Sequence, residues 1–191
     1  LSLMGLTPTI LMISMIVAVD NTNNESGIGK DGMLKWHIPE DLKFFKQFTL
    51  NKTLIVGRKT FENLPQLKNR KIMVLTNNPT LIDNETYFDL DDIKKTIFND
   101  KLNEFVIIGG KQIYELFIDS IDYAVVNEIT FKKDENKNNE YDTNLSKLFN
   151  QMKYNDNQFN FKTKYTLIDN ENYKIEVNEF KVNDKIKFTF D

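Results

Sequence analysis

The feature that most constrains this chain is an alternation. Short apolar runs rich in β-formers lie at Met12–Val19, Thr53–Val56, Lys71–Thr76, Glu104–Ile108 and Tyr123–Thr130. Between several of them fall stretches of helical character, Pro39–Leu50, Lys59–Leu64, Asp91–Phe98 and Lys111–Phe117. Strands that alternate with helices predict a three-layer α/β fold, a mostly parallel central sheet with helices on both faces. The last third differs. Phe159–Ile168 and Tyr173–Phe180 read as two strands around Asp169–Asn172, hence an antiparallel hairpin at the C-terminal edge of the sheet. Lys132–Asn144 is polar and reads as a flexible excursion. The 191 residues show no internal repeat and fit one domain, 1–191, with its core at about 12–180 and an unassigned tail at 181–191.

Composition removes several function classes. Without cysteine there is no disulfide framework, thiolate metal site or cysteine nucleophile, and one histidine, His37, is too few for a histidine-built zinc site, so no metal is expected. A net charge of −3 argues against a nucleic-acid surface. The apolar run Ile10–Val19, broken only by Ser14, is too short to span a bilayer, and no Lys or Arg precedes Lys30 as a signal peptide would want. The expectation is a cytoplasmic protein without membrane partners. The chain opens on Leu1, which fits a fragment or a domain taken from a longer polypeptide.

One residue breaks the hydrophobic pattern. Proline suits a first helical position, so a helix is expected to start at Pro39. At about 100° per residue, Phe44, Phe45 and Phe48 all lie within roughly 60° of Asp41, whereas Lys43, Lys46 and Gln47 take the other side. Asp41 thus sits in the middle of a phenylalanine stripe, at odds with the cost of burying an ionised carboxylate. Two readings stand at this point. Either Asp41 only complements the helix dipole, or it binds a cationic or hydrogen-bond-donating ligand.

Trp36–His37–Ile38–Pro39–Glu40–Asp41 resembles the Trp-x-x-Pro-x-(Asp/Glu) signature of dihydrofolate reductases. Ile13–Val19 resembles the first strand of that family, Gly27–Gly32 its mobile loop, and Gly57–Glu62 its Gly-(Arg/Lys)-x-Thr-(Trp/Phe) segment. Leu67–Arg70 and Ile107–Gly110 complete a series in family order from about Ile13 to Phe180. The resemblance implies reduction of 7,8-dihydrofolate to tetrahydrofolate with NADPH. Asp41 would accept paired hydrogen bonds from the amidine-like pterin edge, with Trp36 and Asn127 beside it. The carbonyls of Ile16 and Ile108 would meet the pterin amino group, with Val17 next to them. Phe45, Leu42, Leu64 and Leu67 would pack on the pterin and benzoyl portions, and Arg70 would clamp the α-carboxylate with paired hydrogen bonds. Generic packing remains open for the four apolar residues.

Two strand-to-helix junctions would hold the cofactor. Gly57 leads into Arg58, Lys59 and Thr60; Ile108, Gly109 and Gly110 lead into Lys111, Gln112, Ile113 and Tyr114. Both offer glycine and backbone N–H groups where a helix begins, and Arg58 and Lys59 add cations suited to a 2′-phosphate. Leu75, Thr76 and Asn77 would contact the cofactor at the end of a strand, and Ala18, Ile28 and Gly29 from the first strand and loop. Gly27–Gly32 matches G-x-G-x-x-G literally, yet it follows a polar stretch and opens into no helix, so it reads as an active-site lid and not a dinucleotide fingerprint.

The family pattern is not matched everywhere. Lys35, Asn69, Gln112 and Asn127 stand where proline, glycine, arginine and threonine are common. Two rivals stay in view: another reductase of the same fold, and a catalytically silent ligand-binding domain. Antifolates would be further ligands. The resemblance fits a monomer, or the reductase part of a polypeptide fused to thymidylate synthase.

Overall fold

The computed structural model describes residues 13–29, 34–78, 86–100, 102–133 and 140–182. The strands are β1 (Ile13–Asp20), β2 (Gly27–Gly29), β3 (Thr53–Gly57), β4 (Lys71–Leu75), β5 (Tyr87–Phe88), β6 (Phe105–Gly109), β7 (Tyr123–Phe131), β8 (Thr143–Asn144), β9 (Phe161–Asp169) and β10 (Tyr173–Lys181). They form one sheet in the order β5-β4-β3-β6-β1-β7-β10-β9, with β2 paired to β1 and β8. From β5 to β7 every neighbouring pair is parallel; β10 is antiparallel to both β7 and β9. The predicted parallel centre and antiparallel hairpin edge are both present.

The period of two along each strand divides the core in two. Met15, Val17, Ile55, Met73, Phe105, Ile107, Ala124 and Val126 face one side. There they meet helices α3 (Leu90–Asn99), α4 (Lys111–Phe117) and α5 (Ser146–Tyr154) through Ile93, Ile97, Phe117, Leu148, Phe149 and Met152. Ile16, Leu54, Val56, Val74, Val106, Ile108 and Val125 face the other, against Phe44 and Phe48 of α1 (Pro39–Thr49). Phe61, in the short α2 (Arg58–Phe61), packs at the edge of that second cluster. Central strands buried on both faces explain why their sequences run nearly continuously apolar.

Several expectations change. The hairpin's first strand starts at Phe161, not Phe159; Phe159 is a fully buried core residue before it. The second predicted helix is only the single turn Arg58–Phe61, followed by hydrogen-bonded turns at Asn63 and Leu64. The polar segment 132–144 is not wholly an excursion, because Thr143–Asn144 pairs with Gly27–Gly29 and leads into α5, a helix absent from the sequence-based expectation. Of the expected lid, Gly27–Gly29 is a strand, and Lys30–Gly32 lies outside the described residues. So does the tail beyond Val182.

Candidate active site

The carboxyl ends of β3, β4 and β6, the middle of β1 and the first turn of α1 open onto one cleft of about 1660 Å³. Pockets for one drug-sized ligand occupy roughly 300–1,000 Å³, so this cleft has room for two ligands side by side. Its position follows the rule that α/β sheets bind ligands beyond the carboxyl ends of their strands.

Asp41 sits at one end. The start of α1 at Pro39 places it in the first turn, and the stripe that carries Phe44 and Phe48 into the core turns its carboxyl inward, leaving it 7% exposed. Two donors reach it: Asn127 Nδ2 at 3.0 Å from Oδ1 and Trp36 Nε1 at 3.4 Å from Oδ2. Burial pushes the carboxyl above its ordinary range, and the hydrogen bonds from Asn127 and Trp36 pull down without offsetting it. Each oxygen keeps acceptor capacity toward the cleft, because a carboxylate offers about four lone-pair sites. Asn127 is 1% exposed, and its Oδ1 has no hydrogen-bond partner among the described residues.

Beside Asp41, the Tyr114 hydroxyl donates to the Ile16 carbonyl at 2.9 Å. Burial first, then the charge of Asp41, pushes Tyr114 far up, so it stays a neutral donor. Along the cleft lie Ile16, Val17 and Ala18, then Leu42 and Phe45 of α1, Leu64 and Leu67. Arg70 closes this arm. Its guanidinium is held by Thr49 Oγ1 at 3.1 Å, the Lys46 carbonyl at 2.7 Å and the Lys68 carbonyl at 2.6 Å. Those bonds use Nε and one N–H on each terminal nitrogen, so one N–H on each remains for a ligand.

The other arm runs past Gly57–Thr60, Leu75–Asn77 and Gly110–Tyr114, with Ile28, Gly29 and Ile108 also lining it. Gly109 adopts φ 115°, a conformation side chains rarely take, and its peptide to Gly110 is cis. A Cβ at Gly110 would lie 3.0 Å from Thr60 Oγ1, so the two junctions approach too closely for a side chain there to fit without Thr60 giving way. Helices α2 and α4 both begin at this wall, where first-turn N–H groups have no partner within the helix. Arg58 is engaged by Glu62 at 2.7 Å on the surface.

Of the residues expected from sequence to bind substrate or cofactor, all but Trp36 and Gly109 line the cleft. Trp36 stands behind Asp41 and reaches it through the indole; Gly109 shapes the turn from beneath. Leu34, Lys46, Asn63, Gln66, Asn78 and Thr143 also line the cleft and are not evident from sequence. Thr143 is brought there only by the β2–β8 pairing, a contact without a local sequence signal. Among the described residues no cluster of His, Asp or Glu could hold a metal, and no helix is long and apolar enough to cross a membrane.

A sequence model of the family described as dihydrofolate reductase matches residues 12–185. The chain is 32% identical over 102 residues to a dihydrofolate reductase of Ureaplasma parvum, covering 52% of this chain and 65% of that one. It is 36% identical over 121 residues to dihydrofolate reductase type 1 of Escherichia coli, covering 62% of this chain and 75% of that one. Its fold is similar to that of dihydrofolate reductase from Enterococcus faecalis complexed with NADP(H) and RAB-propyl, with TM-score 0.70, 28% identity, and coverage of 89% of this chain and 95% of that one.

Proposed function

The chain belongs to the dihydrofolate reductase family, and from that premise we infer that its cleft reduces 7,8-dihydrofolate to tetrahydrofolate with NADPH. The observation that carries this reading is Asp41, a buried carboxylate on the phenylalanine-bearing helix, held by two donors and lining a cleft sized for two ligands.

On this reading the pterin edge donates a pair of hydrogen bonds to Asp41, a charge-assisted arrangement that favours a protonated ligand. Burial raises the proton affinity of Asp41 above that of an ordinary carboxyl, a direction that suits a group sharing the proton due at the pterin ring nitrogen. The Ile16 carbonyl, oriented by Tyr114, and the Ile108 carbonyl take the pterin amino group. Phe45, Leu42, Leu64 and Leu67 cover the ring and benzoyl portions and exclude water. Arg70 meets a carboxylate with its two remaining N–H groups, its plane already fixed by Thr49, Lys46 and Lys68.

The second arm suits a phosphorylated dinucleotide. Gly109 and Gly110 let backbone approach closely, Thr60, Thr76 and Asn77 supply neutral contacts, and Arg58 and Lys59 supply cations for a 2′-phosphate. Bound there, NADPH supplies the hydride; the protein contributes position and electrostatics. The same donor–acceptor pattern at Asp41 extends to antifolates that present a diamino edge. The reading also makes this a single-domain, monomeric cytoplasmic enzyme, alone or as the reductase part of a fusion with thymidylate synthase.

The direct test incubates the protein with NADPH and dihydrofolate and follows the nicotinamide absorbance. Oxidation that depends on dihydrofolate is expected; its absence overturns the assignment.

A further inference from the structure

Asp20, at the end of β1, is 4% exposed and takes no part in the chemistry above. Its two oxygens hold two different segments. Oδ1 accepts from the Thr22 N–H at 2.9 Å and the Thr22 hydroxyl at 2.6 Å, and Thr22 Oγ1 accepts the Phe131 N–H at 2.9 Å. Oδ2 accepts from the Tyr141 hydroxyl at 2.5 Å. Phe131 and Tyr141 are also the aromatic neighbours of Trp36, at centroid distances of 6.5 and 6.3 Å and interplanar angles of 60° and 69°. The indole between them donates to Asp41 at 3.4 Å. One buried carboxylate therefore holds the Tyr141 wall of that ring directly and reaches the backbone of the Phe131 wall, itself set by strand pairing, through Thr22.

The place of Tyr141 is tightly set. A Cβ at position 27 would come within 2.2 Å of its ring, so β2 can cross it only as glycine. The antiparallel β2–β8 pairing and a bond from the Ser146 hydroxyl to the Glu25 carbonyl, 2.6 Å, lock the segment on either side.

We propose that Tyr141, anchored on Asp20, is a positioning residue that sets the plane of Trp36 and thereby aims the indole N–H at Asp41. The proposal rests on the reading of Asp41 as the group that binds the pterin edge. Its physical basis is angular: hydrogen bonds weaken steeply as they bend, and one already 3.4 Å long tolerates little rotation of its donor. The indole bond favours the ionised carboxyl, so a loosened Trp36 raises the pH at which Asp41 ionises. The other groups around Asp41 do not mask that change. Tyr114 of α4 stays neutral, Asn127 of β7 does not titrate, the facing part of β1 is Ile16, Val17 and Ala18, and neighbouring Glu40 is bonded to Tyr173 at 2.8 Å.

Tyr141→Phe removes the hydroxyl and keeps the ring. Trp36 is the chain's single tryptophan, so its emission reports directly on the site. In the ligand-free variant a red-shifted emission and readier acrylamide quenching are expected. In single-turnover hydride transfer from NADPH, the pH midpoint should rise by about 0.3 to 0.5 unit, a modest weakening of one hydrogen bond. Placed on a Trp36→Phe background, Tyr141→Phe should move the midpoint no further. Unchanged emission and midpoint, or an equal midpoint shift without Trp36, overturns the proposal. Should Tyr141→Phe fail to fold, Asp20→Asn provides the same measurements with the same outcomes. The emission arm needs no turnover, so a wild-type protein inactive toward dihydrofolate would sink the assignment of function while leaving the positioning role to be judged separately.

Discussion

Asp41→Asn separates what the site costs from what it does. The substitution keeps shape and removes charge. At neutral pH the wild-type carboxylate carries a desolvation penalty that its two donors do not cancel, as its raised pKa records. In the variant the hydrogen bonds can all be kept. If Asn127 rotates its amide, its Oδ1, without a partner among the described residues, accepts from the amide nitrogen introduced at position 41, and the oxygen that remains there still takes the Trp36 indole. Loss of a negative charge at the start of α1 costs about 0.3–1 kcal/mol. Relief of the burial penalty acts in the opposite direction and is larger, because the net effect of the surroundings is to favour the neutral form. We therefore expect Asp41→Asn to be more stable than wild type at pH 7, each ~1 kcal/mol of the gain reading as roughly 2–4 °C in Tm for a chain of this length. The sign with pH is fixed. A carboxyl whose folded pKa is raised destabilises only where the unfolded form is ionised, so the gap is absent well below the ordinary value of 3.8, opens as pH climbs toward the folded pKa, and stays constant above it. Urea unfolding of both proteins at several pH values measures it. Over the same range kcat/KM for dihydrofolate should fall by about 100-fold or more, with NADPH affinity nearly intact. A variant that is less stable by an amount independent of pH would refute the reasoning and make Asp41 an ordinary helix-start acid.

Other expectations concern the two arms and the loop. Arg70→Ala should weaken dihydrofolate binding by about 10- to 100-fold, the value of a charge-assisted pair, and leave NADPH binding alone; titration calorimetry with each ligand decides, and the reverse pattern would sink the clamp. Arg58→Gln should lower affinity for NADPH about tenfold while sparing NADH, with little change in Tm because its exposed pair with Glu62 contributes only about 0.3–0.5 kcal/mol. Equal loss for both cofactors would place the 2′-phosphate elsewhere. Gly27→Ala drives a methyl into the Tyr141 ring, whose hydroxyl is tied to Asp20. The strain should cost about 1–3 kcal/mol and speed amide exchange at Gly29 and Leu145; protected amides in a stable variant would show that the ring moves freely.

How much of this was legible follows from how far each signal reaches. Helix period exposed Asp41 because the conflict lay within one helix, between a carboxylate and the phenylalanines three, four and seven positions on. The parallel centre was legible because strands buried on both faces must be apolar throughout. The short strands β2, β5 and β8 were not, since two or three residues carry no period. Helix α5 had a signal, Leu148, Phe149 and Met152 on one face, but it is a short helix that emerges from a long polar stretch. Asn127 could be placed only through family order; its bond to Asp41 spans 86 positions.

The same limit explains why the clearest functional residue and its support were unequal in sequence. Asp41 contradicts its own neighbours, and a contradiction can be seen locally. Asp20, Tyr141 and Phe131 contradict nothing: an acid after a strand, a tyrosine in a polar run and a phenylalanine at a strand end are each ordinary. Their role exists only where 121 positions of separation close on a single hydrogen bond. A site that must hold a charge in an apolar setting needs such remote bracing, because the local chain, built to bury phenylalanine, has no polar group to spare for it. The bracing is therefore expected to come from loops and strand ends, where side chains can be polar without harm to the core.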